Sequence, residues 1–388
     1  MRGTVIKRGK AWSVVLDLGR DRTGRRIRRW HSGFRTRKDA ERARIELLNR
    51  VEQGTYVAAS KMTLGEFILE EWLPAMRAVV RPTTWEHYAV CANVRVIPAL
   101  GGVVLSLTPA RLNAFYADLL ASGRSDGKGG LSPKTVRHTH TMLHKALADA
   151  VRWGRLVRNV ADLADPPKPQ TPEMKVWAPA EVRAFLDFVR DDRVYAAWLV
   201  VATTGMRRGE VLGLRWSDLD LDIGRVSVAQ TLTVVNQKVR VSEPKTAKGR
   251  RTVALDPATV AALRAHRIRQ AEERLALGPA WQEHGLIFTW YDGRPIHPER
   301  FSKWFEVRAI RSGLPRIRLH DLRHSYATAA LAANVSPKVV SERLGHAKVG
   351  ITLDVYSHVL PSMDEQAALT VARLILGDDA DAKADRQG

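Results

Sequence analysis

The stretch Asp165-Pro166-Pro167-Lys168-Pro169-Gln170-Thr171-Pro172 most limits what this chain can fold into. Proline lacks a backbone N–H and its ring fixes φ, so four prolines in seven residues exclude a helix and a sheet interior alike. The segment must run extended, as a linker over 166–178 between bodies that fold on either side. Upstream, 61–165 reads as helical throughout. Thr63 opens a run containing Leu64, Phe67, Ile68, Trp72 and Leu73, and Thr83-Thr84 precedes a second run ending near Arg95. Pro98 and Gly101-Gly102 then break the chain. Thr108-Pro109 and Ser132-Pro133 each place a capping hydroxyl before a proline at the first helical position, the local signal for a helix start. Downstream, 179–376 is mixed. Helices are expected near 180–190, 194–203, 208–215, 257–277, 297–312, 320–333 and 336–344, with another after Ser362. Between them lie β-type runs at 225–229, 231–235, 238–242 and 251–255. Residues 377–388 are polar and aspartate-rich, as expected of a flexible tail.

Charge enters the argument at the other end. Residues 1–55 hold 16 Lys and Arg against 6 Asp and Glu, a net +10 out of +21 for all 388 residues. Trp12, Val14 and Leu16 alternate with Ser13, Val15 and Asp17, turns fall at 8–10 and 21–24, and a third strand holds Arg25, Arg26, Arg28 and Arg29. From Thr36 the period changes, with Ala40, Ala43, Leu47 and Val51 on one helical face. Three strands and a helix with so much arginine could be only a solvated surface, but the density on one ribbon favours seating against DNA phosphates. Lys134, at the start of a helix in the next domain, is a further candidate contact.

The lone Cys91 excludes an internal disulfide and any multi-cysteine zinc site, and fits a reducing compartment. No run approaches the roughly 18 apolar residues that span a bilayer, and the opening residues lack the apolar core of a signal peptide. The expectation is a soluble, cytoplasmic, multidomain protein with no membrane partner. Gly123 to Gly130 invites a phosphate-loop reading that fails on spacing, and reads as an inter-helix loop. His138, His140 and His144, with no acidic or cysteine companion nearby in sequence, read as a polar, DNA-facing helix surface rather than a metal site.

Four pieces of the last domain belong together: Thr204-Gly205-Met206-Arg207-Arg208-Gly209-Glu210, Pro244-Lys245-Thr246-Ala247-Lys248-Gly249-Arg250-Arg251, Leu319-His320-Asp321-Leu322-Arg323-His324, and Leu344-Gly345-His346 through Tyr356. His320 and Arg323 stand three apart on one helical face. Arg207 sits where a glycine turn enters a helix, beside free backbone N–H groups. Two permanently charged, planar guanidinium groups suit the non-bridging oxygens of one phosphodiester, where a phosphoryl-transfer transition state carries its charge. A tyrosine becomes a competent nucleophile for phosphate once a neighbour takes its proton. The histidines four apart, His320 and His324, do not make a zinc-protease motif, because the acid is not glutamate and Arg323 lies inside it.

In this order the pieces resemble the boxes of the tyrosine recombinases, the integrases of phages and mobile elements, whose catalytic core is related to type IB topoisomerases. The resemblance matches Arg207 to the first arginine in T-G-x-R-x-G-E and Glu210 to its supporting acid. It matches Lys245 to the β-hairpin lysine, with Lys248 an alternative, and His320 and Arg323 to H-x-x-R. His346 matches the L-G-H box, and Tyr356 the nucleophile in T-L-D-x-Y-S-H. Residues 61–165 resemble the helical, SAM-like core-binding domain, and the first 55 the three-stranded arm-binding domain of heterobivalent integrases. The implied architecture is a small β-sheet-plus-helix domain, an all-α domain, and a mixed, mainly α catalytic domain with a small antiparallel sheet. The implied activity is site-specific cutting and rejoining of DNA through a 3′-phosphotyrosine, integrating and excising a mobile element with no metal, ATP or other cofactor. In that reading Arg207, Arg323 and His346 hold the phosphate, Lys245 protonates the leaving 5′-oxygen, and His320 acts as acid/base. The implied partners are double-stranded attachment-site DNA, three more copies of the chain in a tetramer, a DNA-bending host factor and an excision factor. A type IB topoisomerase-like relaxation or an idle DNA-binding regulator are the alternatives. Taken alone, Glu210 reads as a buried acceptor orienting a helix or Arg323. His324 and His358 read as supporting residues, and Trp177, Trp216, Trp290 and Trp304 as packing.

Overall fold

The computed structural model describes residues 2–20, 23–53, 56, 61–105, 107–170, 174–244, 247–356 and 370–375. Two compact units divide the chain, Met1–Thr171 and Pro172–Gly388.

The first unit opens with an antiparallel sheet of β1 (Arg2–Arg8), β2 (Ala11–Arg20) and β3 (Arg26–Phe34), followed by α1 (Arg37–Glu52). Thr36 caps α1 by accepting from the Asp39 N–H. The helix packs on the face that holds Val14 and Leu16, with Ala40 wholly buried between them. Ser13 and Val15, on the other face, are nearly as buried as their neighbours, so the expected alternation along β2 is weak.

Helices α2 (residues 64–79), α3 (82–100), α4 (Pro109–Ser122) and α5 (Pro133–Arg152) form an all-helical body. Its core gathers Leu64, Phe67, Trp72, Leu112, Phe115 and Leu143. Thr63 and Glu66 close a reciprocal capping box at the start of α2, and Thr108 and Ser132 cap α4 and α5. Pro98 does not break the chain as expected. It lies inside α3 just after a π-helical stretch, Ala92–Val96, where the Ile97 N–H reaches back five residues to the Ala92 carbonyl. Pro74 sits the same way in α2, after Phe67–Trp72. A widened turn makes room for a ring that would otherwise strike the carbonyl four residues back. The chain turns instead at Gly101-Gly102. There the Gly65 N–H bonds the Gly101 carbonyl at 2.9 Å, an approach a Cβ on Gly65 would block.

Asp149, 2% exposed, ties this body together. Its carboxylate accepts from Trp72 Nε1 across 77 residues at 2.8 Å and pairs with Lys145 and Arg152. The histidines of α5 do not share one outward surface. His140 is buried on Tyr116 Oη at 2.9 Å, whereas His144 bonds Asp162 at 2.7 Å at the surface and His138 is exposed with its ring beside His87. The acidic companion of His144 is remote in sequence and close in space.

In the second unit, α6 (Pro179–Phe188), α7 (Tyr195–Thr204) and the short α8 (Arg208–Leu212) precede the strands. Strands β4 (Leu219–Asp220), β5 (Arg225–Val228) and β8 (Arg251–Ala254) form one antiparallel sheet. Strands β6 (Thr231–Val235) and β7 (Lys238–Ser242) stand apart as a hairpin, so among the described residues this unit holds two small sheets rather than one. Asn236 and Gln237 turn that hairpin with φ of 50° and 59°, the two-residue geometry that matches strand twist. Then come α9 (Pro257–Leu277), α10 (Pro298–Arg311), α11 (Leu319–Ala332), α12 (Pro337–Leu344) and α13 (Val349–Tyr356). Apolar nearly all round, α7 is the central rod of this core. Trp198 stacks on Phe301 with ring centroids 4.3 Å apart, and Trp177 is buried with its Nε1–H on the Pro315 carbonyl. Trp290 meets Trp304 edge to face, and Trp216 Nε1 donates to Gln270. No described helix is long and apolar enough to cross a membrane. The expected tail 377–388 and the start of the helix after Ser362 lie outside the described residues, as does part of the linker.

Candidate active site

Two chain reversals and one helix converge on one point. At the end of α7, Gly205 takes a left-handed φ of 64° and delivers Arg207 as the capping residue of α8. At the end of α12, Gly345 takes φ 68°, which turns the chain toward His346 and α13. A Cβ on either glycine would be strained by φ alone, and on Gly205 it would lie 2.5 Å from Tyr326 Cδ1. The third element, α11, brings Arg323 between them.

Arg323 is 2% exposed, and its Nη1 and Nη2 donate to the carbonyls of Gly205 at 2.6 Å and Leu344 at 2.8 Å. Arg207 reaches the same platform from the outer side, with Nη1 3.4 Å from the Leu344 carbonyl and Nη2 3.3 Å from that of Gly345. The last carbonyls of a helix have no partner within it and carry partial negative charge. The C-terminal turn of α12 therefore gathers two permanent cations at one place. Arg207 remains 41% exposed, leaving its fork open to an incoming anion. The adjacent Arg208 points elsewhere, into half-buried contact with Ser302 of α10 at 2.7 Å.

Glu210 is buried beneath this pair. One oxygen accepts from Arg207 Nη1 at 2.9 Å; the other accepts from the Arg207 N–H at 3.0 Å and from Arg251 Nη2 at 2.8 Å. Burial pushes the carboxyl up, but Arg251 and Arg207 together hold it below the ordinary range. The partner of Glu210 is thus not Arg323, and its role as an acceptor serves the first arginine.

His320 stands at the start of α11 with its ring 4.9 Å from that of His324, edge to face. Partial burial, then His324 and Arg323, push His320 down to about 4, although it keeps an exposed edge. His346 is half-buried with Nδ1 2.9 Å from Thr352 Oγ1, and burial with Arg323 and Arg207 nearby lowers it to about 4 as well. His324 is lowered in the same direction, chiefly by burial. Both candidate histidines are accordingly neutral near pH 7. Asp321 turns away from them to close the N-terminus of α11 through Arg318. Tyr356 is the last residue of α13, the helix that begins three residues after His346. Lys245 and His358 lie outside the described residues. Lys248 is exposed in the turn Ala247–Gly249.

The expected DNA contacts are all exposed, but they divide. In β3, Arg28 pairs with Asp17 and Trp30 with Val15, on the sheet face away from α1; Arg29 pairs with Leu16, on the helix side. The four arginines are therefore not a single array. Arg25 and Arg26 lie at the entrance of β3, and Lys134 in the first turn of α5.

Sequence reasoning passed over Arg251 and Thr352. Arg251 was visible only as half of a basic pair, and nothing local sets it apart from Arg250. Thr352 stands six residues from His346, and only the turn at Gly345 brings them together.

Comparison with known proteins identifies the family of the chain. The phage integrase family matches residues 175–363, and an arm DNA-binding domain matches 5–51. A tyrosine recombinase XerC-like protein of Caldanaerobacter subterraneus subsp. tengcongensis is 30% identical over 393 residues, covering 96% of this chain and 98% of its own. The fold is similar to that of the Tn1549 transposon integrase solved with transposon right end DNA (TM-score 0.65, 21% identity, 79% of this chain and 100% of that one). It is also similar to lambda integrase, solved as a tetramer bound to a Holliday junction (TM-score 0.54, 16% identity, 89% and 95%). The chain belongs to the phage integrase family of tyrosine recombinases, the enzymes of site-specific DNA recombination.

Proposed function

We propose that this recombinase breaks and rejoins DNA through Tyr356, with Arg207, Arg323 and His346 holding the scissile phosphate. The observation that carries this is the meeting of Arg207 and Arg323 on the Leu344 carbonyl, which brings two permanent cations to one point. Tyr356 Oη attacks phosphorus, an O–P bond forms to the 3′-phosphate, and the bond to the 5′-oxygen breaks. The phenolic proton passes to neutral His320, and Lys245 supplies one to the departing 5′-oxygen. A Thr352 hydroxyl donating to His346 Nδ1 leaves Nε2–H free to donate to a phosphate oxygen. The reverse attack by a 5′-hydroxyl reseals the strand, so the phosphodiester energy is conserved in the enzyme–DNA bond.

In this reading the chain integrates and excises a mobile element, working as a tetramer on paired attachment sites. The exposed face of the N-terminal sheet, with Arg28 and Trp30, holds arm-type DNA, and the helical body with Lys134 holds the core site. A DNA-bending host factor and an excision factor complete the assembly. The match of 5–51 to an arm DNA-binding domain supports the first assignment, and the tetrameric lambda relative supports the assembly. The test is incubation with nicked trap substrates cut from DNA flanking the gene, with chelator present, followed by a denaturing gel. Wild type should give a protein–DNA adduct that Tyr356→Phe does not, while both shift the DNA. Cleavage by Tyr356→Phe would remove Tyr356 as the nucleophile.

A further inference from the structure

Arg251 opens β8 with a side chain only 8% exposed, and every nitrogen of its guanidinium is engaged by protein. Nε donates to the Arg343 carbonyl at 2.6 Å, Nη1 to the Gly249 carbonyl at 3.2 Å, and Nη2 to Glu210 at 2.8 Å. It thus ties three separate pieces together: the turn before β8, the C-terminal end of α12, and the acid that grips Arg207. Gly345 fits against it closely; a Cβ there would stand 2.8 Å from Arg251 Nη1. Arg207, by contrast, has one firm partner in Glu210 and two long contacts to carbonyls.

This division of labour separates a cation that presents itself from one that is spent on structure. A carboxylate facing Arg207 alone would neutralise it and pull its fork inward. With Arg251 on the other oxygen, the carboxylate is shared between two guanidiniums and the group of three keeps a net positive charge. Arg251 also fixes the α12 carbonyl just before the one shared by Arg207 and Arg323, so the platform under both cations cannot shift independently of the turn before β8. A buried pair of this kind is worth little as stability compared with a well-packed apolar replacement, whereas it fixes geometry that an apolar group would not.

We propose that Arg251 is a positioning residue for phosphate activation, acting through Glu210 and the end of α12 to aim Arg207 at the scissile phosphate. The assignment deepens the phosphotyrosine reading and rests on it.

The test uses the full chain on nicked trap substrates, comparing wild type, Arg251→Gln, Arg251→Lys and Arg207→Ala. Each is measured for single-turnover cleavage and for affinity to intact site DNA. Arg251→Gln should lower cleavage about 100-fold with affinity little changed, because the interaction lost is one made to the transition state. Arg251→Lys, which keeps the charge but cannot span three acceptors, should fall between, and carries the test if the glutamine variant does not fold. The deciding measurement repeats cleavage with a methylphosphonate at the scissile position, which removes the charge the arginines offset. Loss in Arg251→Gln or Arg251→Lys should shrink there in parallel with loss in Arg207→Ala. A deficit undiminished on methylphosphonate, or wild-type rates on the phosphate substrate, overturns the assignment while leaving the nucleophile in place. Absence of any wild-type adduct overturns the phosphotyrosine reading and this assignment with it.

Discussion

Gly205 allows the packing around the two arginines to be tested by a single methyl group. Its φ of 64° costs any other residue roughly 1 kcal/mol in the left-handed region. Alanine there would also place Cβ 2.5 Å from Tyr326 Cδ1 and 2.6 Å from Leu344 Cδ2. Neither neighbour yields freely: Arg343 donates to the Tyr326 hydroxyl at 2.6 Å, and Leu344 is wholly buried. Overpacking of this kind costs about 1–3 kcal/mol, so Gly205→Ala should lose about 2–4 kcal/mol in all. Gly313 is the control, with φ 72° and nothing within 4 Å of its would-be Cβ, so Gly313→Ala should lose only about 1 kcal/mol. The difference isolates the steric part from the backbone part. Because Leu344 also supplies the carbonyl that holds Arg323, a shift of about 1 Å there should slow strand cleavage about 100-fold. Gly313→Ala should cleave at the wild-type rate. Urea unfolding of the full chain and single-turnover cleavage read the two effects. Equal destabilisation by both substitutions, or normal cleavage by Gly205→Ala, would refute the reasoning.

Two further outcomes follow from buried charge. Asp149→Leu strands the buried Trp72 indole N–H, while Lys145 and Arg152 remain solvated, and should cost about 1–3 kcal/mol; Asp149→Asn keeps an acceptor and should cost less. Hydrogen exchange in α5 measures both, and unchanged protection in the leucine variant would show that the network holds nothing. His320 and His346 resist protonation in the folded protein, at about 4 against an ordinary 6.5. The unfolded chain therefore binds more protons in that window, so stability should fall as pH drops from about 6.5 to about 4 and level off above it. His346→Gln should flatten the slope; a slope identical to wild type would show that His346 does not titrate in this way.

Much of the molecule was legible because its signals are local. Thr63, Thr108 and Ser132 start helices with atoms that lie within a few residues of the groups they cap, and the proline run marks its own extended path. The boxes around Arg207, His320 and His346 were likewise readable as residue types in order. Pro98 was misread because a widened turn upstream of a proline is held by packing, which no short pattern records. His140 was misread for a related reason, since a histidine on a polar helix is buried only when a partner such as Tyr116 arrives from another helix.

The order of the chemistry along the chain, the excess of positive charge and the division at the proline run were properties of the sequence by itself. Only the tertiary structure decided that Arg208 turns to Ser302, that Glu210 serves Arg207 and Arg251, and that β3 sends its arginines to opposite faces. These depend on directions in space. A guanidinium is aimed by carbonyls more than a hundred residues away, and that vector exists only once Gly205 and Gly345 have turned the chain.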